Sequence, residues 1–574
     1  MGHQFVLVGA ALGIIIVAAV FARRTGIAAP LLLVGLGIAA SYVPTLPEIE
    51  IDPEIILVCV LPPLLYSSAV KLPVLDLRRN IVMIGWLSVV MVIVTALAIG
   101  AAVHLVFPQI PFALGVALGA VVSPTDAVAA TSIGRRLGLP PRIMTILEGE
   151  SLVNDASSLV LLRTAVAAVA ITGSFDLGSA VLDFGWAVIG AIIIGGLVAV
   201  ITVRVRQHLD DPVLNTTLSF AVPFLAYFPA EAGNTSGVLA VVVAGIVTGT
   251  LGARRFSARD RQTQTITWSS INFILENGVF LAMGFQLPTL FAAARAQTSA
   301  GELTAMVALV VGLLIVLRFI GLTGPAVVLN LVTSSDHGDQ VRYQLARLGD
   351  RLDRASPESS RDENRLDWAR RHLARTSADV AFREREPLTR RSLLVLGWAG
   401  MRGVVTVAAA QTIPIGPAYR DTVVLVAYLV AIITLVAFGL TLPALIRRMH
   451  FSEPSPDERR SEFLDLLKRV GESAIDQIGP IDEQKVDGEP IDPDVVESLR
   501  QRFIPMLLRG DQRAVARSKP GLREQSLIVQ RRYLDAMREN LLAERSIGAD
   551  RSATYKQVED MLDREERGLA AIAE

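Results

Sequence analysis

The sequence predicts an all-α integral membrane protein of about thirteen transmembrane helices with a helical cytoplasmic tail, and three observations carry that reading. The first is composition. Of the 574 residues, 52% are hydrophobic, and the mean hydropathy is +0.49. A chain of this length folded wholly in water would need far more polar surface. The second is the recurrence of apolar runs of roughly 17–25 residues, the length that spans about 30 Å of hydrocarbon as a helix. The third is the distribution of charge. Charged residues make up 19% of the chain, sparse up to about residue 332 and dense after about residue 450.

The apolar runs cover residues 4–22, 27–43, 53–70, 80–107, 111–133, 145–172, 180–203, 213–230, 236–251, 266–287, 303–331, 391–412 and 421–446. The first is read as a retained span, because Arg23 and Arg24 follow it, whereas a signal peptide carries its basic residues in front. Basic residues cluster in alternate connections, as at Arg78/Arg79, Arg135/Arg136, Arg204/Arg206, Arg254/Arg255 and Arg447/Arg448. Arg295 and Arg420 are the exceptions. By the positive-inside rule the amino terminus lies outside and the carboxyl terminus in the cytoplasm of a multi-pass plasma-membrane protein.

Two polar pieces complete the domain plan. Residues 1–450 form the transmembrane domain, with a charged cytoplasmic insertion at 333–390, and residues 451–574 form the tail. In the tail, Leu534, Met537 and Leu541, then Tyr555, Val558 and Leu562, recur at spacings of three and four, the period of an amphipathic helix. Solvated helices or a small bundle explain that pattern, and a regulatory role has no specific motif behind it. The net charge of -1 averages a bilayer part and a water part and says little about partners; the partners expected are ions and the bilayer, with no nucleic acid. Cys59 is the single cysteine and the six histidines show no ligand spacing, so neither a disulfide nor a cofactor is expected.

Ionisable groups inside a membrane span are costly and need a reason to be there. The sixth run opens Glu148-Gly149-Glu150-Ser151-Leu152-Val153-Asn154-Asp155. On a helix Glu150 and Asn154 share one stripe, and Ser151 and Asp155 the next. These are hard oxygen donors, suited to an alkali cation and poorly suited to soft metals. A lone Ser or Asn in such a helix ordinarily serves interhelical hydrogen bonding, but two acids within six residues outweigh that reading.

The fifth run is interrupted by Ser123-Pro124-Thr125-Asp126. Pro124 removes a backbone donor, which is tolerated at membrane depth only against protein or a cavity. Asp126 would neutralise the positive end of the half-helix that follows. The twelfth run has a matching interruption at Gly397, Gly400, Met401, Arg402 and Gly403. Counting spans one to six and eight to thirteen, both breaks fall in the fifth helix of a six-span half. Matched interrupted helices point to two inverted six-helix repeats with a site near the midplane. Arg318, in the middle of the eleventh run, cannot shed its charge and must have an acidic partner, for which Glu150 is the candidate. Arg163 lies about 12 Å along the axis from Asp155 and is read as structural. Glu276, followed by Asn277, stands evenly between a functional and a packing role.

Gly149-Glu150-Ser151-Leu152-Val153-Asn154-Asp155, preceded by Ser123-Pro124-Thr125-Asp126 and followed by Gly400-Met401-Arg402-Gly403, resembles the monovalent cation/proton antiporter family. That family includes the bacterial NhaP-like proteins and the animal sodium/proton exchangers. The resemblance covers roughly residues 1–450. It implies that Asp155 alternately carries a proton or the cation, with Asn154 as its neutral neighbour and Ser151 and Thr125 supplying further oxygens to Na+. Asp126 would act where the two broken helices cross, Glu150 would pair with Arg318, and Arg402 would stabilise the second broken helix. It further implies a homodimer in which a six-helix core moves against a dimerisation domain. The transported ions would be Na+, with Li+ and K+ as alternatives, and H+. One departure stands out. Many relatives carry an acid after a Leu-Pro-Pro run in the third span, and this chain has Ser67 there, which leaves ion selectivity open.

The expected activity is therefore electroneutral secondary antiport, not enzymatic turnover. A cation channel would need a continuous polar pore, whereas the acids form one compact cluster. A membrane enzyme using Glu150 and Asp155 as acid and base lacks an accompanying nucleophile or metal ligand set. A sensor whose tail reports ion occupancy is a third reading, kept open by the length of the tail.

Overall fold

The protein is described from a computed structural model, which covers residues 2–25, 29–43, 55–170, 177–332, 335–354, 360–414, 418–451, 455–486, 488–497, 499 and 520–573. The span ends expected at 27–28, 53–54 and 171–172, and parts of the insertion at 333–334 and 355–359, lie outside the described residues. Among the described residues, helical segments fall within each of the apolar runs. The first three runs hold α1 (Gly2–Thr25), α2 (Ala29–Ser41) and α3 (Leu61–Lys71); a short α4 (Val74–Arg79) precedes the fourth, which holds α5 (Ile81–Gly85) and α6 (Met91–Val106). A π-turn at Ile56–Val60 leads into α3, and another at Trp86–Val90 joins α5 to α6. The fifth run is split into α7 (Phe112–Val122) and α8 (Ala127–Arg136). Then come α9 (Pro141–Ala170), α10 (Leu177–Arg206), α11 (Pro212–Ala232), α12 (Gly237–Arg255), α13 (Ala258–Arg295) and α14 (Ala300–Val332).

Two further helices, α15 (Ser335–Asp353) and α16 (Ser360–Arg385), fall in the charged insertion. The twelfth run is split into α17 (Arg390–Trp398) and α18 (Val404–Gln411), and the last is α19 (Arg420–Met449). Among the described residues, eight helices are long and apolar enough to cross a membrane. The charge-bearing α9 falls outside that set, as do the helices shortened by breaks.

The chain divides into two compact units. One comprises residues 1–255, 263–332 and 388–453, and the other residues 256–262, 333–387 and 454–574. The insertion and the tail thus belong to one unit, together with the short segment before residue 263. In this second unit α20 (Pro456–Ile478), α21 (Pro520–Ile547) and α22 (Ser552–Ala573) enclose a core of Leu466, Val470, Leu534, Met537, Val558 and Leu562. A two-residue hairpin pairs β1 (Lys485–Val486) with β2 (Glu489–Pro490). The Asp563 carboxylate on α22 accepts from Arg261 and, at 2.6 Å, from Arg538, which ties residues 256–262 into this unit.

In the first unit the helices are held by close approach and by a few buried polar contacts. Lipid gives apolar side chains no reason to segregate, so small residues that let backbones meet carry the packing. A Cβ at Gly119 of α7 would stand 2.6 Å from the Ala96 carbonyl oxygen of α6, closer than any side chain tolerates. Glu150 on α9 and Arg318 on α14 form a buried pair. Arg318 Nη2 donates to Glu150 Oε2 at 2.9 Å and to the Leu396 carbonyl of α17 at 3.1 Å, while Nη1 meets Oε1. Three helices distant in sequence are therefore joined through one guanidinium.

Removing one partner of such a pair strands a charge in a medium that cannot solvate it, at a cost on the order of 3–5 kcal/mol. Glu150→Gln and Arg318→Gln should each lower the thermal stability of the detergent-solubilised protein, and the double variant should recover part of the loss. Strictly additive losses in a thermal-shift assay would show that the two side chains do not act as a pair.

Candidate ion-binding site

The site is built where two helices are interrupted. Pro124 supplies no amide hydrogen, and α7 ends at Val122 while α8 begins at Ala127. Asp126 takes the N-cap of α8 in an extended conformation, its Oδ1 accepting from Val128 N at 2.8 Å. Opposite, α17 ends at Trp398 and α18 begins at Val404, with Gly400 to Gly403 between. The two gaps meet backbone to backbone, for Asp126 N donates to the Met401 carbonyl at 2.6 Å. Gly403 is required by this approach, since a Cβ there would overlap the Asp126 carboxylate.

Arg402 completes the crossing. Its Nε donates to the Val122 carbonyl at 2.8 Å and its Nη1 to the Gly400 carbonyl. One guanidinium thus serves the carbonyls left open at the end of α7 and after α17. The charges are placed as helix ends require, an acid at an N-terminus and a cation at two C-terminal ends. Sequence reasoning assigned Arg402 to the second break alone. Its reach to Val122 of the first is a contact that no local pattern encodes.

From this crossing a chain of hydrogen bonds runs to α9. Thr125 Oγ1 donates its one hydrogen to Glu150 Oε1 at 2.9 Å, and so it accepts from Asn154 Nδ2 at 3.0 Å. The Asn154 amide is thereby oriented, and its Oδ1 is buried with no hydrogen-bond partner among the described residues. Ser151 Oγ accepts from Ala127 N at 3.3 Å, adding a side-chain acceptor at the start of α8. Ser88 donates to the Glu150 carbonyl at 3.1 Å.

Asp155 is 5% exposed and lines a cavity of about 310 Å³ with Thr125, Asp126, Ser151 and Glu276. Among the described residues no donor reaches its carboxylate. Lys71, Arg135 and Glu148 line the same cavity, with Arg135 Nη2 2.6 Å from Glu148 Oε1. Asn154 and Ser67 are not among the lining residues. Ser67 is buried, donates to the Leu64 carbonyl at 3.1 Å and accepts from Asn272 Nδ2. Asn272 also lines the cavity and was missed from sequence, although an amide four residues before Glu276 in an apolar helix was a readable signal. Arg163 lies apart from these groups and pairs with Glu231 at 2.8 Å.

The chemistry on offer is therefore one carboxylate without a hydrogen bond among the described residues, neutral oxygens nearby, and further acids around the cavity. Among the described residues no group of three His, Cys, Asp or Glu converges as a metal cage would. Such an arrangement suits a singly charged, hard cation exchanging with solvent.

Residues 10–448 match the family described as the transmembrane sodium/hydrogen exchanger. An uncharacterized Na+/H+ exchanger of Mycobacterium tuberculosis is 27% identical over 508 residues, covering 87% of this chain and 83% of that protein. A sodium, potassium, lithium and rubidium/H+ antiporter of Bacillus subtilis is 32% identical over 298 residues, covering 50% of this chain and 43% of that protein. Among solved structures, the sodium proton antiporter MjNhaP1 of Methanocaldococcus jannaschii superposes with a TM-score of 0.56 at 18% identity. It covers 78% of this chain and 98% of that one, which establishes the shared helical fold. The chain belongs to the sodium/hydrogen exchanger family and is a multi-pass membrane antiporter of Na+ and H+.

Proposed function

We propose that this antiporter exchanges one monovalent cation for one proton, with Asp155 as the carboxylate that both ions share. The observation that carries the reading is an Asp155 side chain on the cavity wall, without a hydrogen-bond donor among the described residues. An empty, charged carboxylate is penalised at membrane depth, and either a proton or a cation relieves the penalty. The two ions therefore compete, and coupling requires only that the empty charged site does not cross. Thr125 and Ser151 supply neutral oxygens to the cation, with Asn154 as the uncharged neighbour of Asp155. Asp126 and Arg402 remain ionised against helix ends, and Glu150 is neutralised by Arg318.

Access alternates as a six-helix core, carrying both broken helices, moves against the rest of a homodimer. Thirteen crossings in two inverted repeats place the amino terminus outside and the carboxyl terminus in the cytoplasm. Under that orientation the cavity walls at Lys71, Arg135 and Glu148 belong to the cytoplasmic side, and the conformation described is open inward. Na+ is the leading substrate, with Li+ and K+ as alternatives, since the same oxygens accept all three.

Asp155→Asn, which preserves shape and removes the shared charge, should abolish cation-driven proton movement in proteoliposomes while the protein remains folded. Proton flux by the variant above that of empty liposomes would refute the assignment. One-for-one exchange makes a second demand. With a potassium/valinomycin potential imposed and Na+ transported, the final proton gradient of the wild type should not respond to voltage. A gradient that follows the voltage as one net charge per cycle requires would show that a second acid takes part.

A further inference from the structure

Glu276 lies midway along α13, one of the helices long and apolar enough to cross a membrane. An acid at that depth ordinarily has a cation or a set of donors beside it. Among the described residues Glu276 has neither an ion pair nor a hydrogen bond, and its side chain lines the cavity that holds Asp155 and Asp126. Packing therefore does not account for it.

The residue one turn earlier strengthens the point. Asn272 and Glu276 are four apart on a single helix and share a face. Ser67 spends its one hydrogen on the Leu64 carbonyl, so it accepts from Asn272, and the Asn272 amide must turn its nitrogen toward α3. Asn272 Oδ1 is left buried with no partner among the described residues. Glu276 and Asn272 thus stand on one face of α13, both among the residues that line one cavity. Neither can be satisfied by the protein around it, and a cation satisfies both.

We infer that Glu276 and Asn272 form a second half of the cation site, borne by α13 and facing Asp155 across the cavity. The inference rests on the proposed role of Asp155 and adds to it the group that gathers the cation from the cavity and shares it with that carboxylate. The ligand class is a monovalent alkali cation, held between hard oxygens of two helices. An acid on the cavity wall raises the local cation concentration beside Asp155. Its loss is felt in cation affinity, and stoichiometry is unaffected.

The test is Na+-driven proton flux in proteoliposomes at fixed pH, with apparent KM and Vmax read separately for the full-length protein. Glu276→Gln should raise the apparent KM for Na+ about tenfold, equivalent to about 1.4 kcal/mol, with Vmax little changed and exchange still insensitive to voltage. Asn272→Leu should raise KM by a smaller factor. Glu276→Asp keeps the charge but withdraws it by one methylene, and a rise of about threefold is expected even if the glutamine variant fails to fold. A wild-type KM in folded Glu276→Gln, or in Glu276→Asp where the glutamine variant does not fold, overturns the inference. Running Asp155→Asn alongside separates the two claims: flux in that variant would sink the underlying reading, whereas its inactivity beside an unchanged KM at position 276 sinks only this one.

Discussion

Hydrocarbon offers no hydrogen bonds, so a helix interrupted at membrane depth must find partners for every amide and carbonyl that the interruption exposes. Two such interruptions meet in this protein, and the arrangement of the site follows from satisfying them. The Met401 carbonyl takes the Asp126 amide, the Asp126 carboxylate caps α8, and Arg402 serves the Val122 and Gly400 carbonyls. Each side chain answers the break on its own strand of the crossing or the one opposite. That reciprocity fixes the distance between the half-helices, which is why position 403 admits only glycine.

Magnitudes separate the contacts that hold this geometry from those that decorate it. Arg318 and Glu150 are 9% and 1% exposed, in a setting where a stranded charge costs several kcal/mol. Arg135, by contrast, is 71% exposed, and an ion pair of that kind is worth about 0–1 kcal/mol. The buried pair therefore belongs to the frame, and the exposed pair has little to contribute beyond the charge at the cavity rim. The frame then sets polarity at a distance. Arg318 fixes the Glu150 carboxyl group, Glu150 takes the Thr125 hydrogen, and Thr125 in turn orients the Asn154 amide. An amide that could present either end is left with its oxygen unengaged.

Much of this was legible from the chain alone, and the reasons are physical. Hydropathy marks a span because bilayer thickness sets its length, and eight of the described helices are long and apolar enough to cross. Pro124 and the glycines around Arg402 mark interruptions because their backbone chemistry cannot continue an apolar helix. Spacings of four put Glu150 with Asn154, and Ser151 with Asp155, on shared stripes. What escaped was pairing at long range. Periodicity predicts helices at Leu534–Leu541 and Tyr555–Leu562, but not that the tail and the insertion form one compact unit. Nor does it reveal that Arg261 is held by Asp563. The direction in which the Asn272 oxygen turns escaped for the same reason, since only its contact with Ser67 shows it. The π-turns at Ile56–Val60 and Trp86–Val90 left no trace in the pattern of apolar residues.

The central claim is that proton and cation compete for a single carboxylate. It is tested most directly by counting the protons released when Na+ is added to detergent-solubilised, weakly buffered protein at a pH where the site is protonated. About one proton per chain should appear in the wild type, saturating with Na+ occupancy, and none in Asp155→Asn. Sodium binding without proton release, or equal release from the variant, would contradict the account.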